Sequence, residues 1–227
     1  MVYESQISFT LDTICPWTYL AKKRLDIALE KFRSSPAAQD VTFTVKYFPF
    51  QLYPEASKEG EDKYEWYKRT KYNDSDEQMK KYITLMSAYG VGVGIDFKFH
   101  GVVANTLNAH RMIQHYQEEI GPDTSNKIVK SLYHQYFEQE AHPSAPETLL
   151  KAAVDAGVDQ SKAEVLIGDE YEGLPETKLL MREQASNGVD AVPYIVLEGK
   201  RRDLTLEGAK EVDDYLKEFD KIVKESK

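Results

Sequence analysis

The sequence of 227 residues contains a single cysteine, Cys15. One cysteine excludes a disulfide within the chain and any metal site built from several cysteines. No run of about eighteen apolar residues occurs, so the sequence predicts no membrane-spanning helix. The N-terminal residues have neither a basic start nor a small-residue cleavage site, and we therefore expect a reducing, cytoplasmic location.

Positive charge is also scarce. Lysine and arginine total 29 residues against 38 of aspartate and glutamate, which gives a net charge of −9 at pH 7. Binding to nucleic acid needs a positive surface, so we expect no nucleic-acid partner. The hydrophobic fraction of 41% and the aromatic fraction of 11% are typical of a globular protein that buries a core without disulfides.

The N-terminal part of the chain predicts a strand, a helix and a second strand. Apolar and polar residues alternate over Gln6–Asp12 and again over Val41–Phe50, a pattern typical of strands. Between them apolar residues recur at helical spacing, and Pro16 suits the first helical position because its missing N–H is not needed there. We therefore expect a parallel βαβ unit with Cys15 at the N-cap of the helix.

The rest of the chain predicts a helical block, two strands and a closing helix. The predicted helices of the block are Glu61–Tyr72, Asp74–Tyr89, Val103–Glu119, Ser125–Glu140, Ala145–Ala156, Gln160–Ile167 and Glu176–Asn187. The predicted C-terminal elements are the strands Val192–Leu197 and Arg201–Thr205 and the helix Glu207–Val223. The two ends combine into one α/β domain, residues 1–60 and 188–227, with residues 61–187 as a helical insertion domain.

The position of Cys15 predicts a reactive sulfur. Unpaired backbone N–H groups and the helix dipole stabilise a thiolate at a helix N-terminus, where cysteine pKa values fall to about 3.5–7.5. We therefore expect Cys15 to be ionised at cytosolic pH. A buried structural cysteine is the alternative.

Thr18 occupies the position three residues after Cys15, where a second cysteine would complete a Cys-x-x-Cys pair. A mixed disulfide on Cys15 therefore has no internal thiol to resolve it and needs an external thiol such as glutathione. We expect the Thr18 hydroxyl to donate a hydrogen bond to the Cys15 sulfur and to stabilise its thiolate.

Four segments carry a resemblance to a known family. They are Cys15-Pro16-Trp17-Thr18-Tyr19, Phe48-Pro49-Phe50-Gln51-Leu52, Asn105-Thr106 with Ala109-His110-Arg111, and Val192-Pro193-Tyr194. Together they resemble the DsbA-like thioredoxin superfamily, particularly its FrnE-like branch. Hydroxychromene-carboxylate isomerases and kappa-class glutathione transferases are sister branches. The resemblance covers nearly the whole chain and implies a thioredoxin fold with a helical insertion.

The resemblance also implies roles for individual residues. Cys15 matches the nucleophile, assisted by Thr18, and Pro193 matches a cis-proline that exposes the backbone of Val192 to an extended thiol substrate. Gly208-Ala209 matches a helix start that receives the glutathione carboxylate. The remaining residues implied for substrate or glutathione binding are Pro16, Trp17, Asn105 and His110.

Thr18 departs from the FrnE-like pattern, which commonly has a second cysteine there. We therefore expect a monothiol, glutathione-linked thiol–disulfide oxidoreductase that takes glutathione as co-substrate and needs no metal. Related proteins are often dimers, so the resemblance allows a homodimer, but the sequence does not fix the oligomeric state. A glutathione-dependent isomerase or transferase of small hydrophobic electrophiles, and a non-catalytic binding module, are the alternatives. His134, Glu138 and His142 recur every four residues, but His142 precedes a proline, and we favour a packing role over a metal site.

Overall fold

The computed structural model describes residues 2–227. Its strands are β1 (Tyr3–Leu11), β2 (Val41–Pro49), β3 (Glu61–Asp62), β4 (Val102–Val103), β5 (Tyr194–Leu197) and β6 (Leu204–Glu207). Its helices are α1 (Pro16–Arg33), α2 (Lys63–Tyr72), α3 (Asp76–Val91), α4 (Leu107–Glu119), α5 (Pro122–Glu138), α6 (Pro146–Asp155), α7 (Gln160–Gly168), α8 (Leu174–Ser186) and α9 (Val212–Ser226). A short 3-10 turn, Pro36–Gln39, joins α1 to β2.

Four strands form the main sheet in the order β2-β1-β5-β6. β1 pairs parallel with β2, with Tyr3 opposite Val41, while β5 runs antiparallel to β1 and to β6. Ile7, Phe9 and Leu11 of the central strand are fully buried. This topology, βαβ at one end of the chain and ββα at the other, confirms the predicted α/β thioredoxin fold with a helix-rich insertion.

The insertion consists of α2 to α8, and three of its helices cover the sheet. α4, α5 and α8 all pack against β2. α8 is also tied to the central strand, because the Thr10 hydroxyl donates to the Gln184 side chain over 2.9 Å. The division into a domain of residues 1–60 and 188–227 and a domain of residues 61–187 stays a prediction.

An aromatic cluster joins α1 and α9 to the sheet. The ring centroids of Phe43 and Phe219 lie 4.5 Å apart, and Phe32 approaches both at 5.0 and 5.6 Å. Such pairs contribute about 0.5–1.5 kcal/mol each beyond the burial of their area. The C-terminal helix therefore belongs to the core that supports the βαβ unit.

Two predicted helices begin four or more residues later than the sequence pattern indicated. The helix predicted from Val103 begins at Leu107, because Val102 and Val103 pair with β3 in a two-stranded ribbon. The helix predicted from Glu207 begins at Val212, because Glu207 ends β6. Glu211 is the N-cap of α9 and is extended.

The outer edge of β2 is closed at one residue by side chains of α4. The Tyr47 N–H donates to the Gln117 side-chain oxygen over 2.8 Å, and the Gln117 amide donates back to the Tyr47 carbonyl over 3.0 Å. Gln114 donates to the same carbonyl over 3.1 Å. These amides replace a neighbouring strand at Tyr47 and satisfy backbone groups that are buried there.

Candidate active site

Cys15 is the N-cap residue of α1, as predicted. Its backbone is extended, with φ −86° and ψ 115°, and Pro16 is the first helical residue. The Cys15 N–H donates to the Asp12 carbonyl over 3.1 Å, which closes a tight turn between β1 and the helix. The side chain is 3% exposed. The local sequence therefore places the sulfur at a helix N-terminus and beneath the protein surface.

Cys15 lies against a cis-proline that is distant in the sequence. The Val192–Pro193 peptide bond is cis, and the Cys15 thiol donates to the Val192 carbonyl with an Sγ–O distance of 3.8 Å. The Gly208 N–H donates to the Pro193 carbonyl over 2.9 Å and anchors this loop to the end of β6. The structure thus brings together three residues that the resemblance implied: Cys15, Val192 and Pro193.

Thr18 is fully buried, and its main hydrogen bonds are not the predicted one. Its hydroxyl donates to the carbonyl oxygens of Cys15 and Asp12, at 2.8 and 2.9 Å, and the sulfur is a weaker contact. The Tyr133 hydroxyl donates to the Thr18 oxygen over 2.8 Å. Thr18 therefore fastens the turn before α1 to a tyrosine of α5, and its hydroxyl lowers the pKa of Cys15 only as a minor contribution.

Replacing Thr18 with valine is expected to lower the free energy of unfolding by about 1–3 kcal/mol, because the buried Tyr133 hydroxyl loses its hydrogen-bond acceptor. Urea denaturation monitored by tryptophan fluorescence measures this loss. The matched control is Thr84→Val on the exposed surface of α3, which is expected to stay within about 0.5 kcal/mol of the parent. An equal effect of both variants would contradict a structural role for Thr18.

The prediction that Cys15 is ionised at cytosolic pH is not supported. Burial is the largest influence and raises the pKa of the Cys15 thiol to about 11. The Thr18 and Trp17 backbone N–H groups lower the pKa, as expected at a helix N-terminus, and the Asp12 carboxylate raises it. The helix effect is therefore present, but the loss of solvent around the sulfur outweighs it.

Asp12 is a site residue that the sequence analysis missed. Its carboxylate is fully buried, accepts the Leu52 N–H over 2.8 Å and faces the His110 Nε2 atom at 3.4 Å. The other ring nitrogen of His110, also buried, has no hydrogen-bond partner among residues 2–227. A carboxylate at the end of a buried strand, three residues before the cysteine, was the signal in the sequence.

Asn105 holds the loop that follows β2. Its side-chain amide donates to the Pro54 carbonyl over 2.8 Å, and its side-chain oxygen accepts from Gln51 over 3.1 Å and from the Leu107 N–H over 2.9 Å. Every polar atom of this side chain is thus used within the protein. Asn105 therefore supports the loop that carries Leu52 to Asp12, and its predicted contact with substrate stays a prediction.

Aromatic side chains surround the start of α1. Trp17 is 37% exposed, and its ring meets the ring of Tyr89 edge to face at 5.7 Å. Pro16 is buried and lines a small cavity together with Tyr67 and Tyr82 of the insertion. Pro16 and Trp17 therefore lie where the insertion covers the cysteine, with Trp17 accessible to a ligand and Pro16 enclosed.

Gly208 and Ala209 do not begin a helix, as the resemblance implied, because α9 begins at Val212, beyond both residues. The Gly208 N–H is already bonded to Pro193, and the Ala209 carbonyl accepts from the Arg24 guanidinium over 3.1 Å. Binding of a glutathione carboxylate at these two residues stays a prediction.

The start of α9 is acidic and does not suit an anion. Glu211 and Asp214 form a capping box, in which each side chain accepts a backbone N–H of the other residue. Asp213 adds a third carboxylate to the first turn, and the Arg24 guanidinium pairs with Glu211 at 2.7 Å. A further carboxylate would meet repulsion from these negative groups.

The histidines considered as metal ligands lie apart. His134 faces Glu138 at 3.1 Å, whereas His142 faces the Lys58 carbonyl at 2.9 Å. Residues 2–227 contain no group of three or more histidine, cysteine or acidic side chains that could hold a metal ion. Over the same residues, every helix is too short or too polar to cross a lipid bilayer.

In this chain a cysteine caps a helix and lies against a cis-proline beside the four-stranded sheet. This arrangement is typical of thioredoxin-fold proteins. Within that class, residues 6–220 match the DSBA-like thioredoxin domain, and the chain belongs to this family. Curated protein sequences gave no significant match.

Solved structures of this fold include oxidoreductases and an isomerase. A Streptomyces coelicolor protein described as a probable DsbA oxidoreductase is similar with a TM-score of 0.83 and 23% identity, over 97% of this chain and 91% of that one. A 2-hydroxychromene-2-carboxylate isomerase gives 0.64 and 14%, over 95% and 93%. The cytosolic disulfide reductase DsbM of Pseudomonas aeruginosa gives 0.60 and 13%, over 96% of this chain and 95% of that one. A structure of DsbM with GSH gives the same TM-score and identity.

Proposed function

We propose that this chain is a monothiol, glutathione-linked thiol–disulfide oxidoreductase that acts through Cys15. The observation that carries the proposal is the contact between the Cys15 sulfur and the Val192 carbonyl beside cis-Pro193, at 3.8 Å. This contact places the reactive sulfur next to backbone groups that can bind an extended peptide. Thr18 stands where a resolving cysteine would be, and the chain has no other thiol.

The reaction consists of two exchanges. The Cys15 thiol first gives its proton to solvent, and the thiolate attacks the glutathione sulfur of a mixed disulfide between glutathione and a substrate thiol. A disulfide forms between Cys15 and glutathione, and the substrate leaves as a thiolate. A second glutathione thiolate then attacks the glutathione sulfur, releases oxidised glutathione and restores Cys15. The electrons that reduce the substrate therefore come from glutathione.

The environment of Cys15 favours this reductive direction. A strongly oxidising thiol protein is one whose reduced form is stabilised, chiefly through its thiolate. Here burial and the Asp12 carboxylate raise the pKa of Cys15, so the reduced form gains little from ionisation. A disulfide at Cys15 places no charge on the sulfur, so neither burial nor the Asp12 carboxylate disfavours it. Cys15 is therefore suited to accept glutathione from a substrate.

Glutathione is the expected external thiol, in a reducing, cytoplasmic setting. The similar DsbM structure with GSH supports this co-substrate on the grounds of shared fold. The tripeptide would lie in extended form along Val192. The Gly208 N–H is already bonded to Pro193, so a carboxylate at Gly208-Ala209 would have to bind through other groups.

Mass spectrometry of the intact chain after incubation with oxidised glutathione tests the proposal. We expect one glutathione adduct per chain, located on Cys15 and removed by reduced glutathione. The absence of any adduct at millimolar oxidised glutathione across pH 7 to pH 10, about the range in which the thiol begins to ionise, would refute it. The substrate-level test is the reduction of a glutathione mixed disulfide, followed through the formation of oxidised glutathione.

The burial of the sulfur favours a second candidate. A sulfur that is 3% exposed and has a raised pKa can orient bound glutathione without attacking a disulfide itself. The protein would then be a glutathione-dependent isomerase or transferase of small hydrophobic electrophiles, and the fold is shared with a 2-hydroxychromene-2-carboxylate isomerase. In that case glutathione supplies the nucleophile and Cys15 positions it.

A further inference from the structure

The outer edge of β2 offers backbone groups away from the active site. In a parallel pair each residue sends its N–H and carbonyl to one side, and successive residues alternate. The Phe50 N–H, just after β2, donates to the Leu11 carbonyl of β1 over 3.0 Å, which places even-numbered residues of this strand toward β1. Tyr47 faces the opposite side, where Gln117 meets it. The backbone N–H and carbonyl groups of the odd-numbered residues of β2 therefore point away from the sheet.

Phe43 and Val45 are the open part of this edge. Tyr47 is closed by glutamine side chains, and Pro49 has no N–H. Within residues 2–227, no hydrogen bond from outside the sheet reaches the backbone N–H or carbonyl of Phe43 or Val45. These groups point away from β1, the strand that pairs with β2. Two N–H groups and two carbonyls of the strand are thus available to pair with one additional strand.

A groove runs along this open edge. It has a volume of about 400 Å³ and is lined by residues of α1 such as Leu29, of α5 such as Pro122, and of β2, including Phe43 and Val45. α5 is held beside the edge because the Tyr47 hydroxyl donates to the Asn126 side chain over 2.6 Å. α5 thus flanks the open edge, where a single extended segment brings less bulk than the sheet of a second copy with its own helices.

The charges of the groove select a basic occupant. Glu30 of α1 and Asp123 of α5 line the groove, both are exposed, and neither forms an ion pair within residues 2–227. The Asp26 carboxylate is already paired with Lys22 and, at 3.2 Å, with Lys130. Arg33, at the end of α1, is the remaining charge of the lining without an ion-pair partner. Two carboxylates against one guanidinium are thus left unpaired in the lining, a balance that favours a basic occupant.

We infer that the β2 edge at Phe43 and Val45 binds an extended, basic segment of a partner protein, which adds to the sheet as an outer strand. Main-chain hydrogen bonds to these two residues provide affinity. A lysine or arginine of the segment, facing the helices, lies between Glu30 and Asp123 and provides selectivity. The surface is independent of Cys15, so its occupancy does not depend on the proposed redox activity.

Hydrogen exchange of the backbone amides tests this inference with a defined probe. The probe is a short blocked peptide of alternating threonine and valine with one central lysine. In the free protein the amides of Phe43 and Val45 should exchange faster than those of Thr44 and Lys46, which face β1. Saturating peptide should slow exchange at Phe43 and Val45 by about tenfold or more and leave the other two unchanged.

Variants and a control peptide separate the contributions. The double variant Glu30→Lys with Asp123→Lys should lose the protection, whereas the exposed pair Glu164→Lys with Asp213→Lys should keep it. A peptide with glutamate in place of the lysine should bind at least about tenfold more weakly. Absence of protection at millimolar peptide would overturn the inference, as would equal binding of the two peptides. Protection of the free protein that grows with its concentration would assign the edge to a second copy and overturn it equally.

Discussion

Loss of all glutathione-linked reduction is the expected result of Cys15→Ser. The chain has no other thiol, and a serine hydroxyl forms no disulfide, so neither exchange can begin. Turnover of a glutathione mixed disulfide should fall by at least about a thousandfold, to the rate of free glutathione. The glutathione adduct should vanish from the mass spectrum of the variant. Circular dichroism and thermal unfolding establish that the variant retains the fold.

Cys15→Ala is the matched variant that distinguishes the two candidate functions. If Cys15 is the nucleophile, serine and alanine are equally inactive. If Cys15 only orients bound glutathione, the serine hydroxyl keeps part of an isomerase or transferase activity that alanine loses. Retained disulfide reduction in either variant would contradict the proposed oxidoreductase, whereas an inactive wild-type protein with unaltered glutathione binding would point to a binding module.

Faster alkylation of Cys15 is the expected result of Asp12→Asn. The Asp12 carboxylate raises the pKa of the thiol, because a negative charge disfavours a second one nearby. A neutral asparagine removes this repulsion and still offers an oxygen to the Leu52 N–H, so the pKa of Cys15 should fall. Below the pKa the thiolate fraction rises about tenfold for each unit by which the pKa drops. Iodoacetamide alkylation at pH 8 should accelerate accordingly.

The pH dependence of the alkylation rate shows in which direction the pKa of Cys15 shifts. In the parent protein the alkylation rate should still be rising between pH 8 and pH 10, since burial and Asp12 raise the pKa of Cys15 to about 11. The increase of the alkylation rate with pH should move to lower pH in Asp12→Asn. It should stay in place in the control Asp213→Asn, which changes an exposed residue of α9. A shift to higher pH in Asp12→Asn, or a parent profile that is flat above pH 7, would contradict the assigned environment.

Local patterns predicted most of the fold. Alternation over Gln6–Asp12 and Val41–Phe50 located β1 and β2 to within a few residues, and apolar spacing located every helix of the insertion. Errors fell where tertiary pairing overrides a local pattern. Val102 and Val103 suit a helix as well as a strand, and only their pairing with β3 decides.

The candidate site was predictable only in part. Cys15 and its helix were visible because Pro16 marks the helix start, and Pro193 became informative through family resemblance. The contact between Asp12 and His110 joins residues far apart in the chain, and the spacing of residues in the sequence does not predict it. The raised pKa of Cys15 was also unpredictable, because it depends on how completely the insertion covers the sulfur.

The hydrogen bond from the Cys15 thiol to the Val192 carbonyl couples binding to ionisation. That oxygen is the acceptor a docked peptide N–H would use, and in the reduced protein the thiol proton occupies it. Peptide binding and loss of the thiol proton therefore assist each other, and by linkage the two effects are equal in free energy. Once the sulfur enters a disulfide it has no proton to donate, and the carbonyl is free for the bound tripeptide. The protein would thus hold glutathione most firmly in the covalent state and release it as the thiol re-forms.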